Sequence, residues 1–339
     1  EVIRNEIHNP ILKKVIITLI LSAIVIGNAA YEAGNISGGV LGLEAVFGEN
    51  IINLYDLNIK PYSILLGAIA FALLYIGNYK IIERSLIFLV IIMSVSFIAT
   101  AIITRPDLMD LLHGLLIPKF PKGSILIVIG LIGTTVVPYN LFLHASLVKE
   151  KWHNESDLKF ARNDTVIAIA LGGIVSMCIV ISAASLQIES INNAADLAKG
   201  IEPLFGASSK YILAIGLFSA GITSAITAPL AASYVAAGCL GWSISLKSKK
   251  FRFVWMLILL AGVISSSLGI KSIEIIKFAQ ITNGILLPII AGFLIWIVNK
   301  ESVLGKYINS KWQNITGLAI LLITLFLGLK SLLKVFEIL

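Results

Sequence analysis

The chain has 339 residues, a formal net charge of +7 at pH 7, 58% apolar residues and only 13% charged ones. A soluble domain carries roughly 25% charged residues, so this chain cannot clothe itself in charge, and lipid must be the solvent for much of it. The positive balance is not a nucleic-acid signature either, because the basic residues sit in short loops between apolar runs, where membrane topology accounts for them.

The opening stretch EVIRNEIHNP is polar, starts at Glu1 and shows no signal-peptide pattern. The expectation is a fragment whose natural N-terminus lies upstream. Nine apolar segments follow that are long enough to span a bilayer: 13–43, 61–79, 85–104, 123–148, 165–186, 211–240, 253–270, 273–298 and 313–333. They predict an all-α polytopic membrane protein with about nine transmembrane helices, in one transmembrane domain over 1–339. The first, fourth and sixth exceed one span, which predicts a tilt, a break or an interfacial end. The connections at 105–122, 149–164 and 187–210 have room for short interfacial helices.

The first span contains Asn28, Glu32 and Asn35 at i, i+4 and i+7, on one helical face. Glu32 is a carboxylate well inside an apolar run. Burial there disfavours the charged form, so Glu32 can carry a proton or pair with a cation. Gly34, Gly38, Gly39 and Gly42 offer the competing reading, a helix-packing stripe with the amides bonding across helices.

The fourth span reads Gly133-Thr134-Thr135-Val136-Val137-Pro138-Tyr139-Asn140-Leu141-Phe142-Leu143-His144. Pro138 lacks an N–H and clashes with the preceding turn, which predicts an interruption between Gly133 and Pro138. Unwound backbone at the midplane presents carbonyl oxygens that suit a cation; an ordinary proline kink is the alternative. His144 shares a face with Asn140 and reads as a proton relay or as a packing histidine. The sixth span's Ser219, Gly221, Thr223, Ser224 and Thr227 read as small-residue packing. The eighth holds Gln280, Thr282 and Asn283 ahead of Gly284 and Pro288, a second polar, breakable segment. Cys178 and Cys239 lie in apolar runs, with no zinc-site spacing. With the N-terminal segment placed in the cytoplasm, 16 of the 26 Lys and Arg fall inside, notably the run Lys247–Lys250, which reads as topology or as a lipid-headgroup or partner patch. An intramembrane enzyme would need a catalytic pair at matched depth, and the spans offer none.

The 133–144 motif resembles the sixth helix of the natural resistance-associated macrophage protein (NRAMP) family of divalent-metal transporters. Flanking stretches fit too: 105–118 is similar to the preceding loop, 160–165 to the start of the next helix and 280–288 to the tenth. The resemblance implies a leucine-transporter-like fold lacking its first two helices, so that the nine spans correspond to the family's third to eleventh. It implies a secondary active transporter of divalent metal ions, linked to protons. Its metal ligands would be Thr134 and Gln280, with Val137, Tyr139 and Asn283 lining the substrate site. Glu32, Asn28 and His144 would form a proton pathway, and Gly133 and Pro138 the helix break. Val137 stands where the family has a methionine, Tyr139 where it has a histidine and Ala29 where it has an aspartate. Loss of the thioether points to harder ions, manganese or magnesium rather than soft metals; a small organic solute such as an amino acid is the alternative cargo. No cofactor is expected beyond the metal as substrate. The partners are the ion, protons and the bilayer, in a bacterial or archaeal inner membrane.

Overall fold

The structure, a computed structural model, describes residues 6–54, 57–76, 80–117, 119, 124–135, 141, 143–145, 148, 151–184, 194–242 and 245–335. It is built almost wholly of helices. In chain order they are α1 (Pro10–Phe47), α2 (Pro61–Ile76), α3 (Lys80–Ile103), α4 (Leu108–Leu116), α5 (Ile125–Thr135) and α6 (Leu158–Ala184). The short α7 (Ala194–Ala198) and α8 (Glu202–Phe205) precede α9 (Ser209–Leu240), α10 (Lys249–Ser267), α11 (Ser272–Val298), α12 (Glu301–Leu304) and α13 (Lys311–Val335). A small antiparallel pair, β1 (Ile52–Leu54) and β2 (Leu57–Ile59), joins α1 to α2 with Ile52 opposite Ile59.

Among the described residues five helices are long and apolar enough to cross a membrane, those of α1, α6, α9, α10 and α11; α3 with α4 makes a sixth if that pair, bent by 116°, is one span. Short helices occupy the three connections where the sequence left room for them. At the α3–α4 corner Arg105 has φ of 43°, and Asp107 caps α4 by accepting from the Met109 and Asp110 N–H groups.

α1 starts at an Asn9 cap with Pro10 behind it and runs unbroken for 38 residues, about 57 Å at 1.5 Å per residue. The sequence left open a break or a tilt in this span. The structure shows one continuous helix, which exceeds a ~30 Å hydrocarbon layer and must tilt or protrude. α11 also runs continuously through Pro288, and α9 through Pro229. The breakable segment at Gln280–Pro288 is therefore helical throughout. Packed neighbours allow membrane helices to absorb a proline in this way.

α1 is the axis of the bundle. It packs against α9 through glycines, because a Cβ on Gly221 would lie 2.6 Å from the Gly39 Cα and one on Gly42 only 2.6 Å from the Ala214 carbonyl oxygen. Two apolar clusters flank this crossing. One joins Ile36 and Val40 to Leu66, Ile222, Phe251 and Trp255; the other joins Ile20 and Ile24 to Ala228, Ala231, Ile258 and Ile290. The expected glycine stripe is thus real at Gly34, Gly39 and Gly42, whereas nothing lies within 4 Å of a Cβ on Gly38.

A buried ion pair fastens one end of the bundle. The Lys60 ammonium, 2% exposed, donates to Glu44 Oε1 at 3.1 Å and to Ser272 Oγ at 3.3 Å, so the ends of α1, α2 and α11 meet on one side chain. Beside it Ser63 donates to the Ser266 carbonyl, and the hydroxyls of Ser37 and Ser63 both lie within 3.0 Å of the Ser266 hydroxyl. At the opposite end Lys306 meets Glu155 at 2.7 Å, bringing the loop before α6 to the loop before α13. Arg252 meets the C-terminal end of α2 at the Tyr75 carbonyl. These contacts join loops that the charge reading places on one side of the membrane.

The close α1–α9 crossing makes a prediction. Gly42→Ala should lower stability by about 1–3 kcal/mol through overpacking against backbone that cannot swing aside, whereas Gly38→Ala should leave it unchanged. Thermal unfolding of the two variants in detergent measures the difference.

Candidate functional site

The polar face read from the first span is buried as one unit. Asn28 is 1% and Glu32 0% exposed, and Asn35 is half-buried. Asn35 Nδ2 donates to Glu32 Oε2 at 3.2 Å, and Asn28 Nδ2 to the Ile24 carbonyl at 2.8 Å. Asn28 Oδ1 and Glu32 Oε1 are buried with no hydrogen-bond partner among the described residues. Two acceptors one helical turn apart, with no donor to either oxygen among the described residues, make a place suited to a proton or a cation. Among the described residues no salt bridge reaches Glu32.

Two neighbouring helices pack closely on α1 here, α10 through its own Gly262 against Glu32 and α11 through Ala279 against Gly34 of α1. A Cβ on Gly262 of α10 would lie 2.4 Å from Glu32 Cγ, and a Cβ on Gly34 2.9 Å from Ala279 Cβ of α11. The sequence analysis missed Gly262. Its signal was a lone glycine inside a span that is otherwise large and apolar, and nothing in the spacing tied it to Glu32.

The second polar cluster lies where α5 meets α11. A Cβ on Gly130 would be 3.8 Å from Gln280 Cβ and 3.7 Å from Ile281 Cγ1. Gln280 is half-buried, and its Oε1 is buried with no partner among the described residues. Thr282, two residues on, returns its hydroxyl to the Phe278 carbonyl at 2.9 Å. Thr134 stands in the last turn of α5, one helical turn beyond Gly130, and Gly133 precedes it; both are helical, and their side-chain surroundings lie outside the description. Val137, Pro138 and Tyr139 lie outside the described residues, as does the interruption expected there, and the same holds for the side chain of Asn283. Helix is described again at Leu141 and at 143–145, and Leu141 and Leu143 pack on the cluster formed by α1, α9, α10 and α11.

His144 is exposed, and its Nε2 lies 3.1 Å from the Thr165 hydroxyl of α6. It connects the 141–148 stretch to α6. The described contacts do not bring it to Asn28 or Glu32. Among the described residues no three His, Cys, Asp or Glu side chains converge as a metal cage.

Long apolar helices around a buried carboxylate define a multi-pass membrane protein. Over residues 1–334 the chain matches the model of the natural resistance-associated macrophage protein-like family, and it belongs to that family. Among curated relatives, a protein of Caldanaerobacter subterraneus subsp. tengcongensis named divalent metal cation transporter MntH is 24% identical over 306 residues, covering 86% of this chain and 69% of the relative. The protein of the same name from Vibrio campbellii is 26% identical over 321 residues, with 90% and 71% covered. A crystal structure of an Eremococcus coleocola manganese transporter mutant superposes with a TM-score of 0.65 at 16% identity, over 93% of this chain and 71% of that one. A second structure of that transporter, with an aromatic bis-isothiourea substituted compound, gives the same score over 92% and 70%.

The Gly262–Glu32 contact can be tested by a double-mutant cycle. Gly262→Ala alone should destabilise by about 1–3 kcal/mol. Combined with Glu32→Ala, which removes the Cγ that the new methyl meets at 2.4 Å but leaves Cβ and the backbone carbon at 2.8 and 2.9 Å, it should cost somewhat less than the two single changes added together, a coupling read from unfolding midpoints.

Proposed function

We propose that the protein is a secondary transporter that moves divalent metal ions across the membrane by alternating access, with proton movement coupled through Glu32. The observation that carries this reading is Gln280: a buried amide oxygen with no partner among the described residues, at the α5–α11 contact beside Gly130, which precedes Thr134 by one helical turn. A buried acceptor left unpaired costs about 1–3 kcal/mol, and a cation bound there would relieve that cost. The names of the curated relatives support the cargo class. Thr134 would present its backbone carbonyl and Gln280 its Oε1 to the ion, with Val137, Tyr139 and Asn283 around them. Gly133 and Pro138 would provide the break that frees the carbonyl.

Val137 offers no lone pair, so the site has one soft donor fewer than a methionine would give it. A water takes its place most readily on an ion that keeps part of its hydration shell, as Mg²⁺ does. The protein should therefore accept Mn²⁺ while discriminating poorly against Mg²⁺. In proteoliposomes Val137→Met should raise the ratio of Cd²⁺ to Mg²⁺ flux, and Gln280→Leu should raise the KM for Mn²⁺ about tenfold. A wild-type protein that carries neither Mn²⁺ nor Mg²⁺ favours a small organic solute instead, and a ratio unmoved by Val137→Met takes Val137 out of the metal site.

In the same reading Glu32 carries the proton, with Asn35 and Asn28 beside it and His144 towards α6. Glu32→Gln preserves shape and hydrogen-bonding reach but cannot ionise. It should flatten the pH dependence of Mn²⁺ uptake and abolish acidification of the vesicle lumen during uptake, with the unfolding midpoint little changed. Uptake that still drives proton entry in Glu32→Gln would show that the coupling runs elsewhere.

A further inference from the structure

The basic residues on the positively charged side of the membrane fall into two kinds. In the loops leading to α6 and α13 they meet carboxylates: Lys151 lies 3.7 Å from Asp164, and Lys306 2.7 Å from Glu155. Between α9 and α10 they do not. Lys247, Lys249, Lys250 and Arg252 crowd into six residues, and the sequence holds no Asp or Glu between Glu202 and Glu274. Among the described residues none of these four cations forms a salt bridge.

Two of the four, Lys250 and Arg252, lie over aromatic rings. Lys250 Nζ lies 5.4 Å from the centre of the Trp242 ring, and the Arg252 guanidinium 4.4 Å from that of Tyr75. Arg252 also donates through Nε to the Leu246 carbonyl at 3.1 Å and through Nη2 to the Tyr75 carbonyl at 3.4 Å. The guanidinium thereby ties the α9–α10 turn to the end of α2, while the three lysines remain exposed. Around them Ile76, Leu240, Leu246 and Phe253 expose 70%, 44%, 42% and 65% of their surface. Topology asks for positive charge at this level. It does not ask for an absence of carboxylates, nor for aromatic and apolar side chains set around the cations.

We propose that the ends of α2, α9 and α10 form a binding site for the anionic phospholipid headgroups of the adjacent leaflet. Lys247, Lys249 and Lys250 supply mobile cations to the phosphate. Trp242 and Tyr75 sit at the headgroup level, where amphipathic rings are favoured. Ile76, Leu240, Leu246 and Phe253 enter the first methylenes of the acyl chains. A free phosphate ion would meet the same lysines but gain nothing from the apolar rim, and this rim is what commits the surface to lipid. The inference stands independently of which solute the protein carries.

The test uses the whole chain in phosphatidylcholine vesicles doped with equal fractions of either dibrominated phosphatidylglycerol or dibrominated phosphatidylcholine. The Trp242 emission is taken as the difference between wild type and Trp242→Phe. The anionic brominated lipid should quench it at the lower mole fraction. Each lysine removed should narrow that preference by up to about fivefold at low salt. Lys247→Gln/Lys249→Gln/Lys250→Gln should be quenched equally by the two lipids, whereas the corresponding triple lysine-to-arginine variant should keep the preference. The three lysines are exposed, so these changes should not disturb folding, and an unchanged unfolding midpoint checks that. Equal quenching of wild type by both lipids overturns the proposal, as does a preference that survives in the triple glutamine variant. Loss of the preference on adding millimolar inorganic phosphate at constant ionic strength assigns the surface to a free anion instead.

Discussion

The approach of α1 to α9 through Gly39, Gly42 and Gly221 is the contact on which the remaining structure depends. Between apolar helices in lipid there is no hydrophobic force to bring them together, so association rests on close packing and on polar contacts. α1 places a carboxylate and two amides in the middle of the bundle. Those groups are tolerable only where neighbouring helices shield them, and the shield exists because glycine lets backbone meet backbone. Gly262 and Gly34 repeat the device, bringing α10 and α11 against the same helix. α10 thus covers Glu32 at a position without a side chain, while α9 and α11 approach α1 closely at Gly39, Gly42 and Gly34.

Much of this was legible in the sequence, and the reasons differ between features. The shortage of charge fixed the solvent, and the apolar runs located the helices. The spacing of Asn28, Glu32 and Asn35 placed them on one face, and the structure buries that face. Periodicity within one helix carried those readings, and periodicity is blind to partners. Nothing in the spacing said that Gly262 would cover Glu32, that Lys60 would find Glu44 and Ser272, or that Gly38 would face open space while Gly39 and Gly42 made contacts. One proline, Pro288, misled. Pro288 read as a breaking point because a soluble helix would lose a hydrogen bond there, yet α11 continues through it in packed surroundings.

The candidate site draws on both kinds of reasoning. Gln280 was named from residue type and from the family resemblance, and the structure adds what neither could supply: its amide oxygen is buried, unpaired among the described residues and set against α5 at Gly130. Thr134 is placed by α5 itself. The assignment of roles to Val137 and Tyr139 rests on the family resemblance alone, because a substitution of methionine by valine has meaning only against a pattern that has methionine.

The tie between Lys60, Glu44 and Ser272 has a mechanical consequence for α11. A rod pinned at one end can only swing about the pin, and the sweep grows in proportion to distance from it. Gln280 lies eight residues from Ser272, about 12 Å along the axis, and Val298 lies about 39 Å away. A tilt that shifts Gln280 by a fraction of an ångström shifts the far end of α11 by roughly three times as much, from the ratio of those two lengths. The Lys60 ammonium therefore makes α11 a lever with its fulcrum at one membrane face, its working point near the unpaired amide and its longest stroke at the other face.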